Sequence, residues 1–295
     1  MSTAAPLSCV PAGQGAVLGF PVEPAMRHLI DAALNAVMED AAAQARLTMG
    51  TLGRCADYAL VGARVLRLLL NRPYTALSGG EIIDCGGGLY VALHPGRKAR
   101  RSARKLSELK DYHCWIEALH PMPDGTVRRE VIDFTARHDP LVASVCGLPF
   151  AREHVSNYLW AWHEDIAPLP LAARAQLPPQ SRSGDWMWTD RDCLRLLKRY
   201  EQDHDGLLDH LTGQVLHKLV EAMQAHEDAA SGHRTSPPES SLGTPDSVPL
   251  AVAQPSRAGL KAAASTPKRA ICEGTASPRI RAAYVSPAAG ADWMP

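Results

Sequence analysis

The sequence has no excess of either charge: 31 basic and 31 acidic residues leave a formal net charge of +0 over 295 residues. That balance excludes a whole-molecule field directed at nucleic acid or an anionic membrane, so any basic footprint has to be local. No apolar run reaches the ~18 residues of a sequence-legible transmembrane helix. The first 20 residues lack the basic start and unbroken apolar stretch of a secretion signal, so the expected location is cytoplasmic. Seven cysteines (Cys9, Cys55, Cys85, Cys114, Cys146, Cys193, Cys272) form an odd set without CxxC spacing, which argues against a disulfide framework and structural zinc. His204, His210 and His217 are not spaced by the three or four positions that would join ring nitrogens on one helix face, so no metal is expected. The glycines Gly86 to Gly88 are not followed by Lys-Ser/Thr, so they do not read as a phosphate loop, and no cofactor is expected.

What is present is a globular chain, 46% hydrophobic. From Pro24 onward, Met26, Ile30, Ala33, Leu34 and Val37 fall at helical spacing, and proline suits a first turn. A second helix is predicted from Arg54 to Leu70, stopped by Asn71, Arg72 and Pro73, with Cys55 in its first turn. Strand-like pieces follow at 75–83 and 88–94, joined by the glycine run. Arg97 to Lys105 then places six positive charges in nine positions, which reads first as a solvated loop or helix face. Residues 111–120 and 129–136 are predicted as a hairpin around Pro-Met-Pro-Asp-Gly-Thr. Beyond Pro149 the pattern turns helical, with a capping signal at Thr189 and Asp192. The expected organisation is a flexible start (1–20), a core (21–150), a helical extension packed on it (151–228) and a disordered Ser/Pro/Ala-rich tail (229–295). Trp160, Trp162, Trp186 and Trp188 are expected mainly as packing residues.

The hairpin carries the first chemical expectation. Pro123 lies midway between His113 and Asp133, so a symmetric hairpin sets them opposite, on one face, with Cβ atoms about 5 Å apart. Alternation then puts Cys114, Ile116 and Ala118 on the core face and His113, Trp115 and Glu117 on the other. Cys114 is therefore not the thiol to meet His113. Cys55 is better placed, because a helix N-terminus lowers a thiol pKa and its free amides can bind an oxyanion.

Three segments together resemble the transglutaminase-like superfamily, which is related to papain: Gly53-Arg54-Cys55 at a helix start, His113-Cys114-Trp115-Ile116-Glu117 on a strand, and Asp133-Phe134-Thr135 at the end of the next. The resemblance covers about residues 50 to 140. It implies an α+β fold in which the nucleophile helix packs on an antiparallel sheet. It also implies Cys55 as nucleophile, His113 as base and then acid, and Asp133 as the group orienting His113. Gln44 and Trp115 are secondary candidates for oxyanion or substrate contacts. The expected activity is acyl transfer on the amide of a protein or peptide through a thioester, with hydrolysis favoured over transamidation because water needs no second binding site. Nucleic acid and membrane are not expected partners. Two alternatives stand beside this: a non-catalytic scaffold recruiting partners through the basic insert and tail, and an arylamine acetyltransferase-like enzyme using an acyl-CoA donor.

Overall fold

The computed structural model describes residues 22–174, 184–232 and 279–282. The expected flexible start, 1–20, lies outside the described residues. By its contacts the chain divides into a body of residues 1–225 with 277–295 and a segment 226–276, of which residues 226–232 are described, as the end of a helix.

The fold is α+β. Helix α1 (Pro24–Gln44) buries Ile30, Leu34, Val37 and Met38, the stripe its spacing predicts. Helix α2 (Cys55–Leu70) is buried along most of its length, with Tyr58, Val61, Val65 and Leu66 inside, each stabilising the fold by roughly 1.5–3 kcal/mol. Its far end is closed by Asn71 in the left-handed region at φ 48°. Strand β1 (Thr75–Gly86) turns through the glycines into β2 (Leu89–Leu93). Strands β3 (His113–Pro121) and β4 (Val127–Asp133) form the expected hairpin.

The hairpin is offset from the symmetric expectation. Ile116 faces Ile132 and Glu117 faces Val131, so its centre falls at Asp124, not Pro123. His113 and Asp133 are therefore diagonal neighbours. The offset is a whole two-residue step, so the shared face survives. Cys114, Ile116 and Ala118 lie in the main core against α2, as alternation requires.

Residues 151–228 depart from the helical expectation. They add β5 (Leu159–Trp162) beside β4 and β6 (Met187–Thr189) against β1 before any long helix begins. Short apolar-aromatic runs such as Leu-Trp-Ala-Trp have no helical period, and the sheet edge captures them. The glycines inside β1 now have a reason: a Cβ at Gly79 would come within 1.9 Å of the Trp188 carbonyl oxygen, and one at Gly80 within 2.2 Å of its ring. Helices α6 (Arg191–Asp203) and α7 (Asp205–Gly232) follow, and Leu196, Leu208, Leu211 and Val215 join the main core. The cap of α6 is Asp190, one residue beyond the expected Thr189; its carboxylate accepts from the amides of Asp192 and Cys193. Two parts of the segment expected as tail, 229–295, are ordered elements: α7 runs to Gly232, and Arg279–Ala282 pairs with β2 as a parallel strand, β7. Residues 233–278 and 283–295 lie outside the described residues.

The basic run is not uniformly solvated. Its first part forms the short helix α3 (Arg97–Ser102), and Arg100 is buried, with its guanidinium donating to His94 and pairing with Asp190 at 3.0 Å. Two further short α-helices are α4 (Asp139–Val145) and α5 (Leu171–Arg174). No helix among the described residues is long and apolar enough to cross a membrane.

Candidate active site

Gly53, with φ at 80°, adopts a backbone conformation that favours glycine and steers the chain into α2. Cys55 is consequently the first residue of that helix. The first amides of a helix have no intrahelical carbonyl to bond, and Cys55 belongs to that first turn. Cys55, Glu81, His113, Thr135, His138 and Asp139 line one narrow cleft of about 70 Å³, room for a few waters or one slender chain.

His113 opens β3 and is buried, not exposed as its outward face would suggest. Its ring lies between two carboxyls. Nε2 is 3.1 Å from Asp133 Oδ2, and Nδ1 is 3.2 Å from Glu81 Oε2. Asp133 is itself fixed, since its Oδ1 accepts from the Thr135 amide at 2.8 Å and from the Thr135 hydroxyl at 2.6 Å. The Trp115 ring runs nearly parallel to that of His113, at an interplanar angle of 6°.

Protonation follows from these contacts. Burial alone would lower the His113 pKa, but the carboxyls of Glu81 and Asp133 raise it well above the ordinary imidazole value. Burial likewise raises a carboxyl, yet His113 and Thr135 outweigh it at Asp133, whose pKa is lowered. Glu81 goes the other way: burial, with Asp133, Asp139 and Cys55 nearby, holds it well above the usual range despite His113. Asp133 is thus the carboxyl of the pair that ionises more readily, and Glu81 the one that holds its proton more readily.

The Cys55 thiol is drawn down to about 6. The largest cause is the Cys114 thiol, which donates a hydrogen bond to it; this, with the hydrogen bond and charge of His113, outweighs burial. Cys114 itself is pushed well above the ordinary thiol range by burial and by Cys55, so it keeps its proton and remains the donor. A thiolate paired with an imidazolium is an activated nucleophile.

The expected residues are not all brought together. Cys55, His113 and Asp133 converge. Trp115 is buried beside His113, where its indole Nε1 donates to Glu117 at 2.9 Å, so it supports the ring and is absent from the cleft lining. Gln44 is not brought to the site: it is the exposed last residue of α1 and does not line the cleft. Position near Cys55 in sequence was its only recommendation, and the turns at 45–54 carry it away.

Three further groups belong to the site: Glu81, Asp139 and the Cys114 proton. An acid inside the apolar strand Gly-Gly-Glu-Ile-Ile is a legible anomaly, whereas Asp139 before Pro140 reads only as a helix start. Among the described residues, Glu81, His113 and Asp133 present ligand atoms within 4.8 Å of one another, a spacing open to a metal ion. The same three groups also form a clamp, with one carboxyl on each ring nitrogen.

No family model and no curated protein matches the chain. Among solved structures it is similar to one whose title names only a genomics target, at 12% identity and a TM-score of 0.40, covering 68% of this chain and 82% of that one. That likeness adds nothing to the reading of the site.

Proposed function

We propose that the protein is a cysteine-dependent acyl-transfer enzyme of the transglutaminase-like kind, acting hydrolytically on an amide of a protein or peptide. One observation carries this reading: a thiol at a helix N-terminus, with its pKa drawn down to about 6, shares a cleft with an imidazole held by carboxyls on both nitrogens. Near neutral pH such a thiol is mostly thiolate, where a free one is almost wholly protonated. Cys55 Sγ attacks the carbonyl carbon, and the amides of the first turn of α2 stabilise the oxyanion. The leaving nitrogen takes a proton from an acid of the site and departs as the amine, a thioester remains on Cys55, and water hydrolyses it, giving up the proton that restores that acid. His113 is the counter-ion of the returning thiolate, and Asp133 fixes its orientation.

Labelling with an iodoacetamide-type probe at pH 7 tests the nucleophile. Cys55→Ala should abolish labelling of the folded protein, and Cys114→Ala should retain it. Equal labelling of the two variants would remove the assignment.

A further inference from the structure

His113 is poorly placed to shuttle protons. Its two nitrogens stand 3.1 Å and 3.2 Å from carboxyl oxygens, and the ring also bonds the Cys55 sulfur, so a leaving group or a water competes with three partners for its protons. Asp139 has no such restraint. It is the first residue of α4 and lines the same cleft as Cys55 and His113. It also lines an adjoining groove of about 440 Å³ bounded by Tyr158, Trp186 and Met187, so it stands where the two spaces meet. Among the described residues no hydrogen bond or ion pair holds its carboxyl. The charged groups that face it are Asp133 on β4, His113 on β3, Glu81 on β1 and Arg152 beyond α4. Burial, with Asp133 alongside, pushes this carboxyl up to about 7 against the pull of His113 and Arg152, so both its acid and base forms are present near neutrality.

We propose that Asp139 is the acid–base group of this site, with His113 held throughout as the fixed counter-ion of Cys55. The assignment rests on the acyl-transfer reading above. In the first half, the Cys55 sulfur bonds to the carbonyl carbon and the carbon–nitrogen bond breaks. The leaving nitrogen takes the proton of the Asp139 carboxyl. In the second half, the Asp139 carboxylate removes a proton from water as the water oxygen bonds to the thioester carbon. The carbon–sulfur bond then breaks and the electron pair returns to Cys55. Asp139 ends protonated, as it began, and the net reaction is amide plus water to acid plus amine. One carboxyl acting first as acid and then as base is established chemistry for two-step displacement.

An activated ester separates the halves, because p-nitrophenolate leaves without acid assistance. With p-nitrophenyl acetate, the wild-type protein should release p-nitrophenolate continuously and only when Cys55 is present. Asp139→Asn should release about one equivalent and then slow by ~100-fold or more, with acetylated Cys55 accumulating in the intact-mass spectrum. Asp139→Ala should behave alike, and added formate should restore its turnover without changing the first equivalent. Alkylation of Cys55 at the wild-type rate in both variants is the check that the cleft is intact. Wild-type turnover in Asp139→Asn overturns the assignment and returns the proton transfer to His113. Loss of the first equivalent with alkylation intact also overturns it, since Asp139 would then act in attack. A wild-type protein without Cys55-dependent release overturns the acyl-transfer reading and this assignment together.

Discussion

Strand β3 carries two buried histidines, each beside a carboxylate, and they do different work. His113 sits between Glu81 and Asp133 on one face; His120 sits on the other, where its Nε2–H donates to Glu130 at 2.8 Å and its Nδ1 accepts from Arg72 at 2.7 Å. Glu130 is fully buried and also accepts from the Tyr74 hydroxyl at 2.9 Å and the Trp160 indole at 2.6 Å. Neither His120 nor Glu130 lines any of the clefts described above. The second cluster is closed: its donors and acceptors satisfy one another, as a buried polar network must to avoid a desolvation cost. The first is open, with a cleft on one side, a carboxyl on each ring nitrogen and, among the described residues, no hydrogen bond or ion pair on the Asp139 carboxyl. A buried His–carboxylate pair is therefore not by itself a site. What distinguishes His113 is the opening, together with the thiol whose pKa it helps to lower.

Exchanging roles between the two clusters would break this comparison. His113→Ala should raise the Cys55 pKa and cut iodoacetamide labelling at pH 7 by about 10- to 100-fold, since a thiol returned to about 8–9 is only about 1–10% thiolate at that pH. His120→Ala should leave labelling within about twofold. Similar losses in both variants would show that the strand, not the open cluster, controls the thiol. Glu130→Ala orphans three buried donors and should cost about 3–5 kcal/mol in denaturant unfolding, with labelling of the remaining folded protein unchanged.

The pH profile sharpens the same contrast. With its folded pKa lowered to about 6 from an ordinary 9.0, the Cys55 thiolate is present above about 6 and lost as pH falls through that value. A labelling rate that stays near its plateau from pH 9 to 7 and falls below 6 is expected; a midpoint near 9 would contradict it. Cys114→Ala removes the largest cause of the lowering and should move the midpoint upward by roughly one unit, only about a twofold loss at pH 7 that recovers at pH 9. The smallest effect is at the surface: Arg101→Glu, on exposed α3, should change stability by less than about 0.5 kcal/mol, whereas Arg100→Ala, which removes the buried contact to Asp190, should cost more.

Much of the first half of the chain was legible. The stripes of α1 and α2 and the β1–β2 and β3–β4 hairpins follow from period and turn chemistry, because each depends on neighbours a few residues away. Face alternation placed Cys114 inward and His113 opposite it, and that parity tolerated a register wrong by two. The register itself was not legible, since several turns fit Pro-Met-Pro-Asp-Gly-Thr and the choice lies in how Ile116 and Ile132 pack. Strands β5 and β6 were missed for a similar reason: four and three residues carry no period of their own, and they become strands only against an existing edge.

By itself, then, the sequence determined a helix beginning at a cysteine, a hairpin carrying a histidine and an aspartate on one face, and the order in which they occur. Only the tertiary structure decided that α2 meets that hairpin at its His113 end, that Glu81 and Asp139 close around the same cleft, and that His120 is walled off. Those are long-range juxtapositions, set by packing between elements far apart in sequence, and the pKa of a group depends on what surrounds it in space.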